Sequence, residues 1–262
     1  MPGPDASRRG GSAIHAVGAY RAASLLALVA LWWLAARLGG SPQLLPGPLA
    51  VARVAARLLA DGSMARNIGA TLLRVAAAFT LSMAAGVALG TLAGRSARAN
   101  ALIDPWLVVA LNLPVLVVVV LAYIWVGLNE TAAVLAVTVA KMPTVIVTLR
   151  EGARALDAGL DEMAAAFRVP AGRRLARLVL PQLLPYLAAA GRGGLSITWK
   201  IVLVVELLGR PNGVGFALNL FFQDFDVAGI LAYGVVFASL MLVVETALLQ
   251  PLERRANGWR AA

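Results

Sequence analysis

Six long stretches of this chain are largely apolar, and that feature most limits what it can fold into. They are residues 20–38, 69–94, 105–127, 131–149, 186–208 and 229–250. About 20 such residues, wound as a helix, cross the roughly 30 Å of hydrocarbon in a bilayer. A helix is also the element that satisfies all of its backbone groups within its own segment, as lipid requires. Composition agrees, with 60% of the 262 residues hydrophobic and 14% charged, where soluble domains have about 45–50% and 25%. The expected fold class is an all-α membrane protein with about six transmembrane helices. Residues 20–250 form the membrane domain, between cytoplasmic tails at 1–19 and 251–262.

Several function classes are excluded at this point. Cysteine is absent and His15 is the single histidine, so neither thiolate chemistry nor a metal site is expected. The formal net charge of +10 does not suggest nucleic acid, because the basic residues fall between the apolar runs rather than on one face. Ser7-Arg8-Arg9 resembles a twin-arginine start, but Gly10-Gly11-Ser12 follows and a retained first span fits better. With the N-terminus inside, Arg8, Arg9, Arg21, Arg95, Arg98, Arg150, Arg154, Arg168, Arg173, Arg174, Arg177, Arg254, Arg255 and Arg260 lie on the inner side. Arg37, Arg53, Arg57, Arg66, Arg74 and Arg210 lie outside. That bias of 14 to 6 follows the positive-inside rule.

Between the first two spans, Pro42, Pro46 and Pro48 precede a stretch with Val51, Val54, Leu58 and Leu59 at helical spacing. It predicts a short amphipathic helix along the outer membrane surface. In the second span, Gly86, Gly90 and Gly94 recur every four residues. Such a row favours close helix packing in lipid, with a substrate groove as the less favoured reading.

Residues 150–185 form the long polar loop on the inner side, too long to be structureless. Leu160 to Phe167 reads as a helix with Asp161 and Glu162 in its first turn, where the helix dipole favours acids. Val169-Pro170-Ala171-Gly172 breaks the chain, and Arg173 to Leu180 reads as a second short helix ended by Pro181. The expectation is a cytoplasmic helical hairpin between helices 4 and 5, on which a soluble motor could push.

This loop resembles the signature of ABC importer permeases: Glu-Ala-Ala, three residues, Gly, nine residues, then apolar-x-Leu-Pro. Glu162, Ala164, Leu178, Leu180 and Pro181 match, while Met163 replaces an Ala and Arg168 stands where Gly is usual. Leu45-Pro46-Gly47-Pro48, Thr71-Leu72-Leu73-Arg74-Val75, Leu113-Pro114-Val115, Pro143, Trp199, Glu206, Gly213-Val214-Gly215-Phe216 and Leu252-Glu253-Arg254-Arg255 resemble landmarks of the nitrate/sulfonate/taurine branch. The resemblance implies a bacterial inner-membrane permease subunit carrying a small anionic solute. Its implied partners are a second permease subunit (a homodimer), two ATP-binding subunits and an extracytoplasmic solute-binding protein. Asp161, Glu162, Ala164, Ala165, Phe167, Arg168, Leu180 and Pro181 would then couple the chain to the ATPase. No Gly-x4-Gly-Lys-Ser/Thr segment occurs, so ATP and Mg belong to the partner. No catalytic residue and no cofactor are assigned to this chain.

The two lysines, Lys141 and Lys200, both fall within spans, where charges persist chiefly beside a cavity or a partner. For Lys141, next to Pro143, bonding to carbonyls freed at a helix break is favoured; for Lys200, an electropositive translocation path. Glu206 lies about 600° around the helix from Lys200, on another face, and is expected to meet another helix or a wet cavity. Asn112, Tyr123, Trp199, Lys200 and Glu206 are the candidates for lining the path, while Arg192 is expected to anchor or pair. An ion-coupled secondary transporter would need paired midplane acids and related halves. Glu206 and Glu245 lie near opposite helix ends instead. A membrane scaffold would need neither the charged hairpin nor intramembrane lysines.

Overall fold

The computed structural model describes residues 5–249, and the expected C-terminal tail over 251–262 lies outside them. Every regular element among the described residues is helical. Helix α1 is Asp5–Leu38, α2 Pro48–Ala60, α3 Ser63–Arg95 and α4 Ala97–Asn112. Then come α5 Val115–Val126, α6 Glu130–Arg154, α7 Ala158–Ala166 and α8 Ala171–Arg174. The last three are α9 Leu180–Gly209, α10 Val214–Gln223 and α11 Val227–Val244. Short polar side chains cap several N-termini: Ser96 accepts from the Ala99 N–H, Asn129 from Ala132 and Asp226 from Gly229, each satisfying an otherwise orphaned donor.

Four helices are long and apolar enough to cross a membrane: Ser63–Arg95, Glu130–Arg154, Ala171–Gly209 and Val227–Ala247. The expected span at 105–127 is not one helix. It is α4 and α5, bent by 100°, because Pro114 holds Leu113 in extended backbone (ψ 126°). Counted as one crossing, this bent pair makes five. The expected span 20–38 lies within α1, whose apolar part Ala23–Leu38 is shorter than the others. The chain is helical from Asp5, so most of the stretch read as a tail continues the first helix.

Helix α6 is the centre of the bundle, buried from Ala132 to Ala153 along its inward faces. The α3 glycine stripe packs directly on it: a Cβ at Gly86, Gly90 or Gly94 would come within 2.5–2.6 Å of Val145, Ile146 and Ala153 respectively. Close packing is thus what the stripe does. Helix α2 turns its apolar side to the protein: Val51 is buried in a cluster with Met64, Val214, Tyr233 and Phe237, and Val54 and Leu58 pack against it. The helix was expected, but this stripe covers α10 and α11 as well as any membrane surface.

The expected second short helix does not end at Pro181. Ala171–Gly209 is one helical run of 39 residues, with a wider π turn at Leu175–Val179. Proline lacks an N–H and crowds the carbonyl four residues back, and a π turn just before it gives that carbonyl room. Gln182 Nε2 donates to the Leu178 carbonyl at 3.0 Å. The loop between α6 and this run is consequently much shorter than the 150–185 segment suggested.

Candidate functional site

A polar cluster sits at the end of the bundle opposite the α7 hairpin. Arg74, buried in α3, donates through Nη1 to Glu206 Oε1 of α9 at 2.7 Å and to the Asn212 carbonyl at 2.9 Å. Its Nε reaches Glu130 Oε1 at 2.6 Å, and its Nη2 contacts Glu130 Oε2 and Asn212 Oδ1. Glu206 is fully buried, and its Oε2 accepts from Thr71 Oγ1 and the Gly215 N–H, each at 2.9 Å. Arg210 pairs with Glu130 at 2.6 Å. The Val214 and Gly213 N–H groups donate to Thr71 and Asn67, and Asn67 donates to Tyr233. Gly213 has φ +113°, and a Cβ there would overlap the Glu206 carboxylate, so only glycine fits.

Two arginines face two carboxylates, and both Glu206 oxygens are taken. Such a cluster joins α3, α6, α9 and α10, and a cavity lined by Arg74, Glu130 and Asn212 adjoins it. Glu206 meets another helix, as one reading had it, with its carboxylate fully buried. Tyr123 is 8% exposed and donates to the Val205 carbonyl at 2.8 Å. Sequence reasoning missed Arg74 as the partner and placed it on the outer surface. The signal was present: an arginine inside an apolar run needs an intramembrane acid, and Glu206 is one.

The two lysines differ. Lys141 is buried, and its Nζ donates to Thr144 Oγ1 at 2.7 Å while Thr144 donates to the Lys141 carbonyl at 2.9 Å. Lys200 is exposed, with its Nζ 5.5 Å from the Trp199 ring. Trp199 packs edge-on against Phe237 of α11, ring centroids 5.6 Å apart. Of the path candidates, the structure brings Trp199 and Lys200 to one cavity between α9 and α11. Asn112 stands apart at the α4–α5 bend, its Nδ2 donating to the Val108 carbonyl at 2.7 Å.

The hairpin is built by α7, a tight turn and α8. Asp157 caps α7, accepting from Gly159 and Leu160, and its own N–H donates to Gln182 Oε1 at 2.9 Å. At the far end the Arg168 N–H donates to the Ala165 carbonyl at 3.0 Å and the Val169 N–H to Ala164 at 2.9 Å. That is a Schellman ending, and Arg168 takes the left-handed position with φ 49°. The turn is therefore made at Arg168 itself, where the resembled family has glycine, and Gly172 sits inside α8.

Asp161 clamps the hairpin to the bundle: its carboxylate meets Arg174 at 2.8 Å and Arg95, the last residue of α3, at 3.0 Å. The Arg174 hydrogen bond, and then the charges of Arg174 and Arg95, hold the Asp161 carboxyl below its ordinary range against the opposing effect of partial burial. Glu162 is exposed and forms no ion pair among the described residues. Ala164 is 1% exposed, whereas Phe167 is 78% exposed and Met163 and Ala165 are also outside. Leu180 and Pro181 open α9. Among the described residues no cluster of potential metal ligands occurs.

Comparison with known proteins agrees with this architecture. Residues 86–256, more than half of the chain, match the family model "Binding-protein-dependent transport system inner membrane component". The chain belongs to that family. The putative aliphatic sulfonates transport permease protein SsuC of Bacillus subtilis is 26% identical over 234 residues, 89% of this chain and 84% of that protein. The taurine transport system permease protein TauC of Escherichia coli is 25% identical over 242 residues, 90% and 88% of the two chains. A solved amino acid ABC transporter structure shares the fold at a TM-score of 0.57 and 18% identity, covering 76% of this chain and 97% of its own. The chain is thus the inner-membrane permease component of an ABC importer.

Proposed function

We propose that this chain is the permease subunit of a bacterial inner-membrane importer that carries a small anionic solute such as a sulfonate, taurine or nitrate. In this reading two copies form the path, two separate subunits hydrolyse ATP with Mg, and an extracytoplasmic binding protein delivers the solute. The hairpin and both termini are cytoplasmic, and the chain itself hydrolyses no ATP. The anionic solute is supported by Lys200 facing a cavity, and by the printed names of the sulfonate and taurine relatives.

One observation carries the coupling. The hairpin holds Phe167 and Met163 exposed at its tip while Asp161 ties its base to α3 and α8. An apolar tip on a clamped base can seat in a groove of a soluble partner and transmit its movement. Phe167→Asp places a charge where an apolar pocket is expected and touches no core contact. Purified with its cognate ATPase, the parent should co-elute with it, and Phe167→Asp should lose most of that ATPase while remaining monodisperse. A parent chain that recovers no ATPase, or a variant that retains all of it, sinks the reading.

A further inference from the structure

A cavity with a volume of about 230 Å³ lies where the end of α1 meets the loop that leads into α2. Trp33 and Arg37 line it from α1, Pro42 and Leu45 from the loop, and Leu49 from the first turn of α2. Trp32 ties its two walls together, with Nε1 donating to the Pro46 carbonyl at 3.1 Å. The Arg37 guanidinium stands 4.9 Å from the centre of the Trp33 ring, a cation–π contact between residues one helical turn apart. No carboxylate lines the cavity, and Arg37 forms no hydrogen bond or ion pair among the described residues.

The charge along this part of the chain is all of one sign. From Tyr20 to Ala60 the sequence has Arg21, Arg37, Arg53 and Arg57, and neither aspartate nor glutamate. The next acid, Asp61, stands at the far end of α2, roughly 20 Å from Pro48 along the axis. There it accepts from the Ser63 N–H at 2.8 Å. Arg53 and Arg57 follow Leu49 in steps of four residues, on one exposed face of α2. Val51 is buried on the other side.

The place is that of a membrane interface. The apolar part of α1, Ala23–Leu38, ends one residue after Arg37, and tryptophans gather at that level of a bilayer. Leu34, Leu38, Leu44 and Leu49, in the cavity wall or close to it in the chain, are exposed. The volume falls below the roughly 300–1,000 Å³ of pockets that enclose a drug-sized ligand. It therefore takes a charged group and leaves the rest of the ligand outside, on the leucines. A ligand with an anionic head and long apolar tails uses both, whereas a small soluble anion uses the arginine alone.

We propose that this cavity is a binding site for an anionic phospholipid, with its phosphodiester against Arg37 and Trp33 and its acyl chains on the exposed leucines. A zwitterionic lipid binds it less well, because the ammonium of its own head group opposes Arg37. The bound lipid pins the end of α1 to the start of α2. The site goes beyond the importer reading and is independent of the solute carried.

Phosphatidylglycerol and phosphatidylcholine, each with a photoreactive diazirine at the same acyl position, test this. Each is placed at the same low mole fraction in nanodiscs of the intact chain, otherwise made of plain phosphatidylcholine, and adducts are located by peptide mass. Within residues 33–49 the anionic lipid should give about fivefold more adduct than the zwitterionic one. Arg37→Gln should bring that ratio close to one while leaving the ratio at other stretches unchanged, and Arg37→Lys should keep most of it. Excess free glycerol phosphate should not compete. Trp33→Leu, which frees Arg37 from its ring, should lower the ratio and serves if Arg37→Gln does not assemble. Equal yields from the two lipids within 33–49, or a ratio that survives Arg37→Gln, overturn the site. Competition by glycerol phosphate would make it a site for a soluble anion, and adducts missing with both lipids would leave the face to a protein partner. Either result also overturns the lipid assignment.

Discussion

A methyl group added at Gly90 would stand 2.6 Å from the Ile146 carbonyl oxygen and 2.9 Å from Leu149 Cβ. Backbone cannot rotate out of the way as a side chain can, so α3 and α6 must separate. On the same helix a Cβ at Gly69 meets nothing within 4 Å. Gly90→Ala is therefore expected to destabilise by about 1–3 kcal/mol through overpacking, and Gly69→Ala to stabilise by up to about 1 kcal/mol through helix propensity. Thermal unfolding in detergent, with the two midpoints moving in opposite directions, checks this. The glycine row was legible because its four-residue spacing is a local pattern. The Arg74–Glu206 pair was not, because its members lie 132 positions apart and no local spacing links them. The burial of Ala164 was not legible for a related reason: whether a small residue faces out or in depends on the body beneath it.

At the scale of the element, the hairpin depends on one carboxylate. Asp161 carries a depressed pKa, chiefly through Arg174, so the clamp is complete above the ordinary aspartate value of about 3.9. It is lost only as pH falls through the lower folded value. Surface pairs of this exposure contribute about 0.2–1 kcal/mol each, enough to shift how often the hairpin opens. Divided by the rate for an unstructured arginine peptide at the same pH, tryptic cleavage after Arg168 and Arg173 in the intact chain should be constant from about pH 5 to 8, and several-fold faster at every pH in Asp161→Asn. A pH-dependent ratio in the parent over that range would show that another group holds the hairpin. The sequence located this element through its Leu-Pro and acidic first turn, but misplaced its ends. Pro181 reads as a stop in one dimension, whereas the π turn before it and Gln182 on the Leu178 carbonyl let the helix run on. Arg168 likewise departs from the usual glycine, and the structure shows it paying the left-handed strain that glycine avoids.

For the whole molecule, the all-helical membrane class followed from run length and charge alone, since lipid permits so few backbone solutions. What run length could not reveal was that one helical run joins the two ends of the bundle. Ala171–Gly209 spans 39 residues, or roughly 58 Å, from the α8 arm of the hairpin to Glu206 and the Gly213–Gly215 turn. A displacement at the hairpin therefore reaches the Arg74–Glu206 cluster through a single element, and the Lys200 groove lies on the way. Glu206→Gln keeps the side chain's shape and its bond from Thr71 but removes the charge that faces Arg74. Arg74 keeps Glu130, so the variant should fold, at a cost below the about 3–5 kcal/mol of leaving a buried charge with no partner. The turn at Gly213 would then open more readily. In proteoliposomes holding the full complex, Glu206→Gln is expected to raise ATP hydrolysis several-fold when no binding protein is present, and to weaken further stimulation by the loaded binding protein. Gly90→Ala serves as the control, since it loosens packing without touching the cluster and should leave that ratio unchanged. Parental stimulation in Glu206→Gln would mean that the cluster only braces the fold, and that α9 carries no signal to that end.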